Sequence, residues 1–318
     1  MAGVLTVAGT AVAPGTRVRA AIEVRGCGYA VRMPVTVING RGDGPVAAVI
    51  AGLHGAEYPC IETTIRLARR LDPHQVRGAL IIVHVVNEPA FYGRTAYVNP
   101  LDGLNPNRVF PGSATGSISE RMVRRVWEDV IAPADYLIDL HGGDIVEALV
   151  PFAAYTPSGN AAVDDVARRM AWAYGIPRVL EAEIPGSSML AAARAGKPAV
   201  LAEAGGGGLL DEPSVATLLE GTERALAVAG VLPAAGVPSV SIGTPTKMIW
   251  HRAAHQGMFY PSIKVGDRVE RGQVLGRICD VYGDVLTEVR SEASGDIIFL
   301  VTCPPVSPGD PLLAVGGT

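Results

Sequence analysis

PVAAVIAG (residues 45–52), followed at once by Leu53, His54, Gly55, Ala56 and Glu57, is the stretch on which the fold turns. Its apolar run has the length of a strand, carries Val46, Val49 and Ile50, and is bounded by Pro45 and Gly52. Continuous apolarity at that length predicts a buried parallel strand covered on both faces. Residues 53–55 then read as a short loop. Residues 57–71 show helical spacing, with Ile61, Ile65, Leu67 and Ala68 apolar, Arg66, Arg69 and Arg70 polar, and Asp72-Pro73 as the stop. A second apolar run, ALIIVHVV (79–86), predicts the next strand. Strand, helix and strand in this order are the unit of an α/β sheet.

Further out the same alternation continues. Residues 87–117 are rich in Gly, Pro and Asn and read as a long loop, a length that compact domains usually reserve for function. Ser119 is the expected cap of a helix to about residue 130. YLIDL (136–140) predicts a third strand running directly into His141, and AVLA (199–202) a further strand running into Glu203 and the glycines 205–208. Helices are expected over 161–174 and 213–229. The first 40 residues alternate short β-like runs with Gly and Pro, and residues 232–240 have the Pro, Ala and Gly content of a linker. Beyond it, short β runs and Gly-Asp or Gly-Gln turns predict a small all-β module. The expected division is a catalytic domain over 1–235, with an N-terminal β segment 1–40, and a C-terminal β domain over 236–318.

Composition narrows the function. The 318 residues are 48% hydrophobic with a formal net charge of −4 and no cluster of Lys or Arg, which argues against nucleic-acid binding. No run approaches the ~20 apolar residues of a membrane helix. The apolar N-terminus lacks the positive start of a signal peptide, so a cytoplasmic protein is expected. Cys27, Cys60, Cys279 and Cys303 have neither CxxC spacing nor the density of a disulfide framework.

Two of the six histidines, His54 and His141, fall where a predicted strand meets a loop. Open α/β sheets bind ligands at those carboxyl ends. Glu57 opens the following helix, so His54 and Glu57 can converge on one ion, with His141 from a neighbouring strand end. Catalytic zinc commonly takes three such ligands and leaves a fourth position for water. Iron, cobalt or manganese also suit two imidazoles and a carboxylate.

GLHGAEYP (52–59), PLDGLNPNRVFPG (100–112), IDLHGG (138–143) and PAVLAEAGGGG (198–208) follow one another as they do in the succinylglutamate desuccinylase/aspartoacylase family, which the chain resembles over nearly its whole length. The resemblance implies a zinc carboxypeptidase-like three-layer sandwich with a mixed, mostly parallel sheet, followed by a small all-β, barrel-like domain. It implies one zinc held by His54, Glu57 and His141, with Glu203 as general base for the zinc-bound water. It makes Asn107 and Arg108 the pair that grips a polar group of the substrate, and Arg94 a stabiliser of the oxyanion. The substrate expected from the resemblance is a small N-acyl amino acid or N-acyl diamino acid such as N-acetyl-diaminobutyrate, and the assembly a homo-oligomer, dimer or tetramer. The chain has Pro106 where relatives often have Leu, and Cys60 where many have a small residue.

VGDRVERGQVLG (265–276) is similar to biotinyl/lipoyl-like barrels, but the turn after it carries no lysine to modify. A lid or oligomer element fits that module better, with Tyr282 as a residue that could touch substrate. His84 reads as core or as support to the metal, and Asp139 and Asp144 as support to the metal loop. A metallocarboxypeptidase, an amide or ester hydrolase acting on a natural product, and an inactive metal- or ligand-binding protein are the rival readings.

Overall fold

The fold is that of a computed structural model, which describes residues 3–234 and 241–317. The chain opens with a hairpin, β1 (Leu5–Val7) and β2 (Thr10–Val12), and two long strands, β3 (Thr16–Gly26) and β4 (Tyr29–Asn39). Then come β5 (Gly42–Ala51), α1 (Tyr58–Arg70), β6 (Arg77–Val83), α2 (Glu88–Gly93), α3 (Ile118–Val126), β7 (Tyr136–His141), β8 (Glu147–Leu149), β9 (Phe152–Tyr155), α4 (Ala161–Ala173), β10 (Val179–Glu181), α5 (Ser188–Arg194), β11 (Ala199–Glu203) and α6 (Glu212–Val228). The C-terminal part is all β: β12 (Lys247–Arg252), β13 (Gly257–Pro261), β14 (Arg268–Val269), β15 (Val274–Cys279), β16 (Val285–Arg290), β17 (Gly295–Val301), β18 (Pro305–Val306) and β19 (Pro311–Gly317).

Eight strands form one mixed sheet in the order β10-β9-β11-β7-β5-β6-β4-β3. The pairs around the site, β11–β7, β7–β5 and β5–β6, are parallel, and β3–β4, β4–β6 and β9–β11 are antiparallel. The N-terminal β segment is therefore no separate module: β3 and β4 complete the main sheet. Along β5, Ala47, Val49 and Ala51 face one core with Cys60, Leu67, Met170 and Leu218, while Ala48 and Ile50 face the other with Met122, Val123 and Met189. The strand is covered on both faces, α1, α4 and α6 on one and α3 and α5 on the other, which is why its run is apolar without alternation. This is the expected α/β sandwich.

The C-terminal strands make two antiparallel sheets around a core of Phe259, Leu275, Ile278, Ile297, Leu312 and Val315. The expected boundary at 235/236 lies outside the described residues. Near it the two parts are joined: β8 pairs with β17 rather than with the main sheet, Leu180 bridges Thr246, and Arg178 pairs with Asp296 at 2.9 Å. No helix among the described residues is long and apolar enough to cross a membrane.

Local differences from the sequence reading have local causes. α3 starts at Ser117, not Ser119: the Ser117 hydroxyl accepts from Glu120 N–H, and the Glu120 carboxylate accepts from Ser117 N–H. This is a capping box, and Ser119 instead donates to Asp102. The helix continues as a π-helical turn over Trp127–Ile131. The long loop contains α2 and a 3₁₀ turn, Pro106–Arg108. The short elements β8, β9, β10 and α5 have too few residues for periodicity to announce them.

Candidate metal centre

Three strand ends build the site. β5 stops at Ala51, and the chain turns at Gly52 in the left-handed region (φ 68°) to present His54. Gly55 follows with no room for a side chain, since a Cβ there would stand 2.2 Å from the backbone nitrogen of Phe91 in α2. Glu57 precedes α1 and turns its carboxylate back into the sheet end. β7 delivers His141, and β11 delivers Glu203, the register partner of His141 in the parallel pair.

The three expected ligands meet. His54 Nδ1 lies 2.6 Å from Glu57 Oε1, and His141 Nδ1 lies 2.9 Å from Glu57 Oε2. One donor atom from each residue falls within 4.8 Å of the others, the one such group found among the described residues. Burial disfavours charge on Glu57, but the two imidazoles outweigh it and hold its pKa at about 2. For His141 burial is likewise opposed, here by the carboxylates of Asp139 and Glu57, and the ring holds its proton well above the usual range.

The far side of each ring tests whether a metal fits. His54 Nε2 faces Asn105 Oδ1 at 3.1 Å, and His141 Nε2 faces Asp139 Oδ2 at 3.1 Å. A ligating histidine gives its other N–H to such an acceptor, which leaves the Nδ1 lone pair for the ion. Asn107 Nδ2 also lies 3.1 Å from His141 Nε2, with its Oδ1 taken by Ser188 N–H. Nε2 thus meets one donor and one acceptor, and the carboxylate, as the charged partner, is the stronger. Asp139 is in turn held by the Ser188 hydroxyl. A divalent cation fits this donor set.

Glu203 is half-buried, and its carboxylate makes no hydrogen bond or ion pair with the described residues. Burial, opposed by His141 and reinforced by Glu57, Glu147 and Asp139, raises its pKa well above that of an ordinary glutamate. Arg108 is exposed, donates to the Asn107 carbonyl at 2.8 Å and lies within electrostatic reach of Glu203. Asn107, expected to face substrate, is 2% exposed and its amide is committed to His141 and Ser188.

No hydrogen bond or ion pair among the described residues joins the Arg94 or Tyr282 side chain to these residues. Arg94 is the exposed, left-handed C-cap of α2 (φ 51°). Tyr282 is 91% exposed in the turn between β15 and β16, its N–H bonded to Asp280. His84 bonds Thr36 and Thr64 at 2.8 and 3.2 Å, and burial takes its pKa to about 4, so it is a core histidine. The Cys60 thiol donates to the Glu57 carbonyl at 2.9 Å, and burial raises its pKa far from thiolate chemistry.

The sequence reading missed Asn105, Ser188, Tyr97 and Glu147. Tyr97 stands edge-on to His54, with ring centroids 6.3 Å apart, and has a positive φ of 58°. Its N–H donates to Asp144 Oδ2 at 2.9 Å, and its hydroxyl bonds Glu147. Glu147 also accepts from Asp144 N–H at 2.9 Å. Asn105 was within reach, because it stands two residues before Asn107 in a quoted motif. Nothing local distinguishes the others.

The chain also resembles known proteins. The model of the succinylglutamate desuccinylase/aspartoacylase catalytic domain matches residues 43–229. The N-alpha-acetyl-L-2,4-diaminobutyric acid deacetylase of Halomonas elongata is 33% identical over 276 residues, spanning 84% of this chain and 80% of the relative. Among solved structures, the product-bound ectoine utilization protein EutE (DoeB) from Ruegeria pomeroyi superposes with a TM-score of 0.84 at 26% identity, covering 95% of each chain. A succinylglutamate desuccinylase/aspartoacylase from Rhodobacter sphaeroides gives 0.82 at 26% identity, again over 95% of each.

Proposed function

The chain belongs to the succinylglutamate desuccinylase/aspartoacylase family, and within it we propose that it is a zinc-dependent amidohydrolase that deacylates a small N-acyl amino acid or N-acyl diamino acid. The observation that carries this reading is the buried His54–Glu57–His141 donor set with Glu203 in register beside His141. A zinc ion held by His54, Glu57 and His141 would supply Lewis acidity for the acyl oxygen and a water of lowered pKa, toward ~7. Glu203, with no partner to satisfy and its proton affinity raised, takes the proton of the attacking water and returns it to the departing amine. Arg108 offers a planar fork to a substrate carboxylate at the mouth. Asn107 acts in this reading through His141 and Ser188, as a positioning residue. Arg94 remains the candidate to stabilise the oxyanion, and Tyr282 a candidate to touch substrate, both being exposed.

The similarity to a diaminobutyrate-derivative deacetylase supports the substrate class. A cytoplasmic location and a dimeric or tetrameric assembly belong to the same reading, and the four free thiols suit a reducing compartment. The test is metal content by elemental analysis of wild type and His54→Ala, paired with amine release from a panel of N-acyl amino acids. About one zinc per chain, lost in the variant, with amine released from a panel member, is expected. Metal-free wild type, freshly prepared, would overturn the site, and metal without turnover of any member would overturn the deacylase.

A further inference from the structure

Glu147 is a titratable group of the site that the reaction above leaves without a task. It is half-buried, its carboxylate lies within electrostatic reach of Glu57 and His54, and it is not among the metal donors. Two hydrogen bonds aim it: from Asp144 N–H, and from the Tyr97 hydroxyl, whose ring stands edge-on to His54. Its backbone is clamped from the other side. Glu147 opens β8 and is the register partner of Val301 in β17, while Thr302 N–H donates to Val146 at 2.8 Å and Val150 N–H donates to Ile298 at 2.9 Å. Pairing with β17 therefore fixes the backbone that carries this carboxylate.

Charge says what such a group is for. Glu147 makes no ion pair with a Lys or Arg among the described residues, and a substrate carrying an ammonium supplies the cation it lacks. Burial pushes the Glu147 pKa up to about 7, and a bound ammonium favours its ionised form. A diamino acid acylated on one nitrogen keeps the other as an ammonium.

We propose that Glu147, oriented by Tyr97 and held by β17, binds the free ammonium of an N-acylated diamino acid and so sets the preference of this site for diamino over monoamino substrates. The proposal rests on the deacylase reading and narrows its substrate.

The experiment compares kcat/KM for N-α-acetyl-2,4-diaminobutyrate and N-acetyl-2-aminobutyrate, which differ in the second amine. Wild type, Glu147→Gln and Glu147→Asp are assayed, each first checked for its melting temperature. Wild type is expected to favour the diamino substrate, and Glu147→Gln to cut that ratio by about thirtyfold or more, chiefly through KM. Glu147→Asp, which keeps the charge, should retain part of the ratio. Should Glu147→Gln fail to fold, inhibition of wild type by 2,4-diaminobutyrate and 2-aminobutyrate decides: equal potency overturns the proposal, and a stronger diamino inhibitor supports it. Amide hydrolysis without diamino preference, or a ratio unchanged in Glu147→Gln, overturns the proposal while the deacylase stands. Wild type that hydrolyses neither these amides nor any N-acyl amino acid overturns both.

Discussion

Glu57 Oε2 lies 2.9 Å from His141 Nδ1, a contact that joins the start of α1 to the end of β7 across 84 residues of sequence. The other carboxylate oxygen holds His54 Nδ1, so one glutamate collects both imidazoles on the side where a metal would bind. The rings are kept in that orientation from behind, by Asn105 and Asp139.

Those two acceptors make the first prediction. Asn105→Ala and Asp139→Asn remove the partners of His54 Nε2 and His141 Nε2 while leaving all three ligands in place. Each should weaken metal binding about 10- to 100-fold. Competition with a chelator of known affinity measures this, and unchanged affinity in both variants would contradict the ring orientation inferred here.

Glu203→Gln keeps the shape of the site and removes the base. Metal content should stay at the wild-type level, and kcat should fall by about 10²- to 10⁴-fold. A variant that keeps wild-type kcat would remove Glu203 from the reaction.

Glu147 gives the metal-free protein a pH signature. Its folded pKa of about 7 lies above the reference value of 4.5. A carboxyl group whose pKa is raised by folding stabilises the folded state fully below its unfolded pKa, and that contribution is lost as pH rises through the folded one. Stability should therefore decline by on the order of 1–3 kcal/mol between pH ~4.5 and ~7. Denaturant melts of apo Glu147→Gln across this window should show a flatter profile than wild type; the same slope in both would assign the decline elsewhere.

Gly55→Ala places a methyl group 2.2 Å from the Phe91 backbone nitrogen, where no flexible side chain can give way. The expected loss is at least ~1–3 kcal/mol, together with weaker metal binding, because the loop carrying His54 must shift. Thermal denaturation with and without zinc reads both effects.

What could be read without coordinates was local. The apolar run of β5 and the three-residue spacing of His54 and Glu57 are short-range patterns, and each meant in the structure what it meant in the chain. Asp139 and His141, two apart on one strand, share a face for the same reason and meet through Nε2. Ser119 failed as a cap because two serines stand within one turn of each other, and only Ser117 has Glu120 at the spacing of a capping box. The roles expected of Arg94 and Tyr282 depend on where a variable loop and a distant hairpin come to rest, which no local pattern encodes; both side chains are exposed.

The layered α/β sandwich, the β character of the C-terminal part and the meeting of His54, Glu57 and His141 are legible in the chain, because periodicity and motif spacing are carried by neighbouring residues. The ring nitrogens that face the metal position, the places of Asn105 and Asp139 behind them, and the departure of β8 from the main sheet to pair with β17 and bring Glu147 to Tyr97 come from the folded arrangement alone. Those relations join residues far apart in sequence, and they follow from strand pairing and packing, which no local pattern encodes.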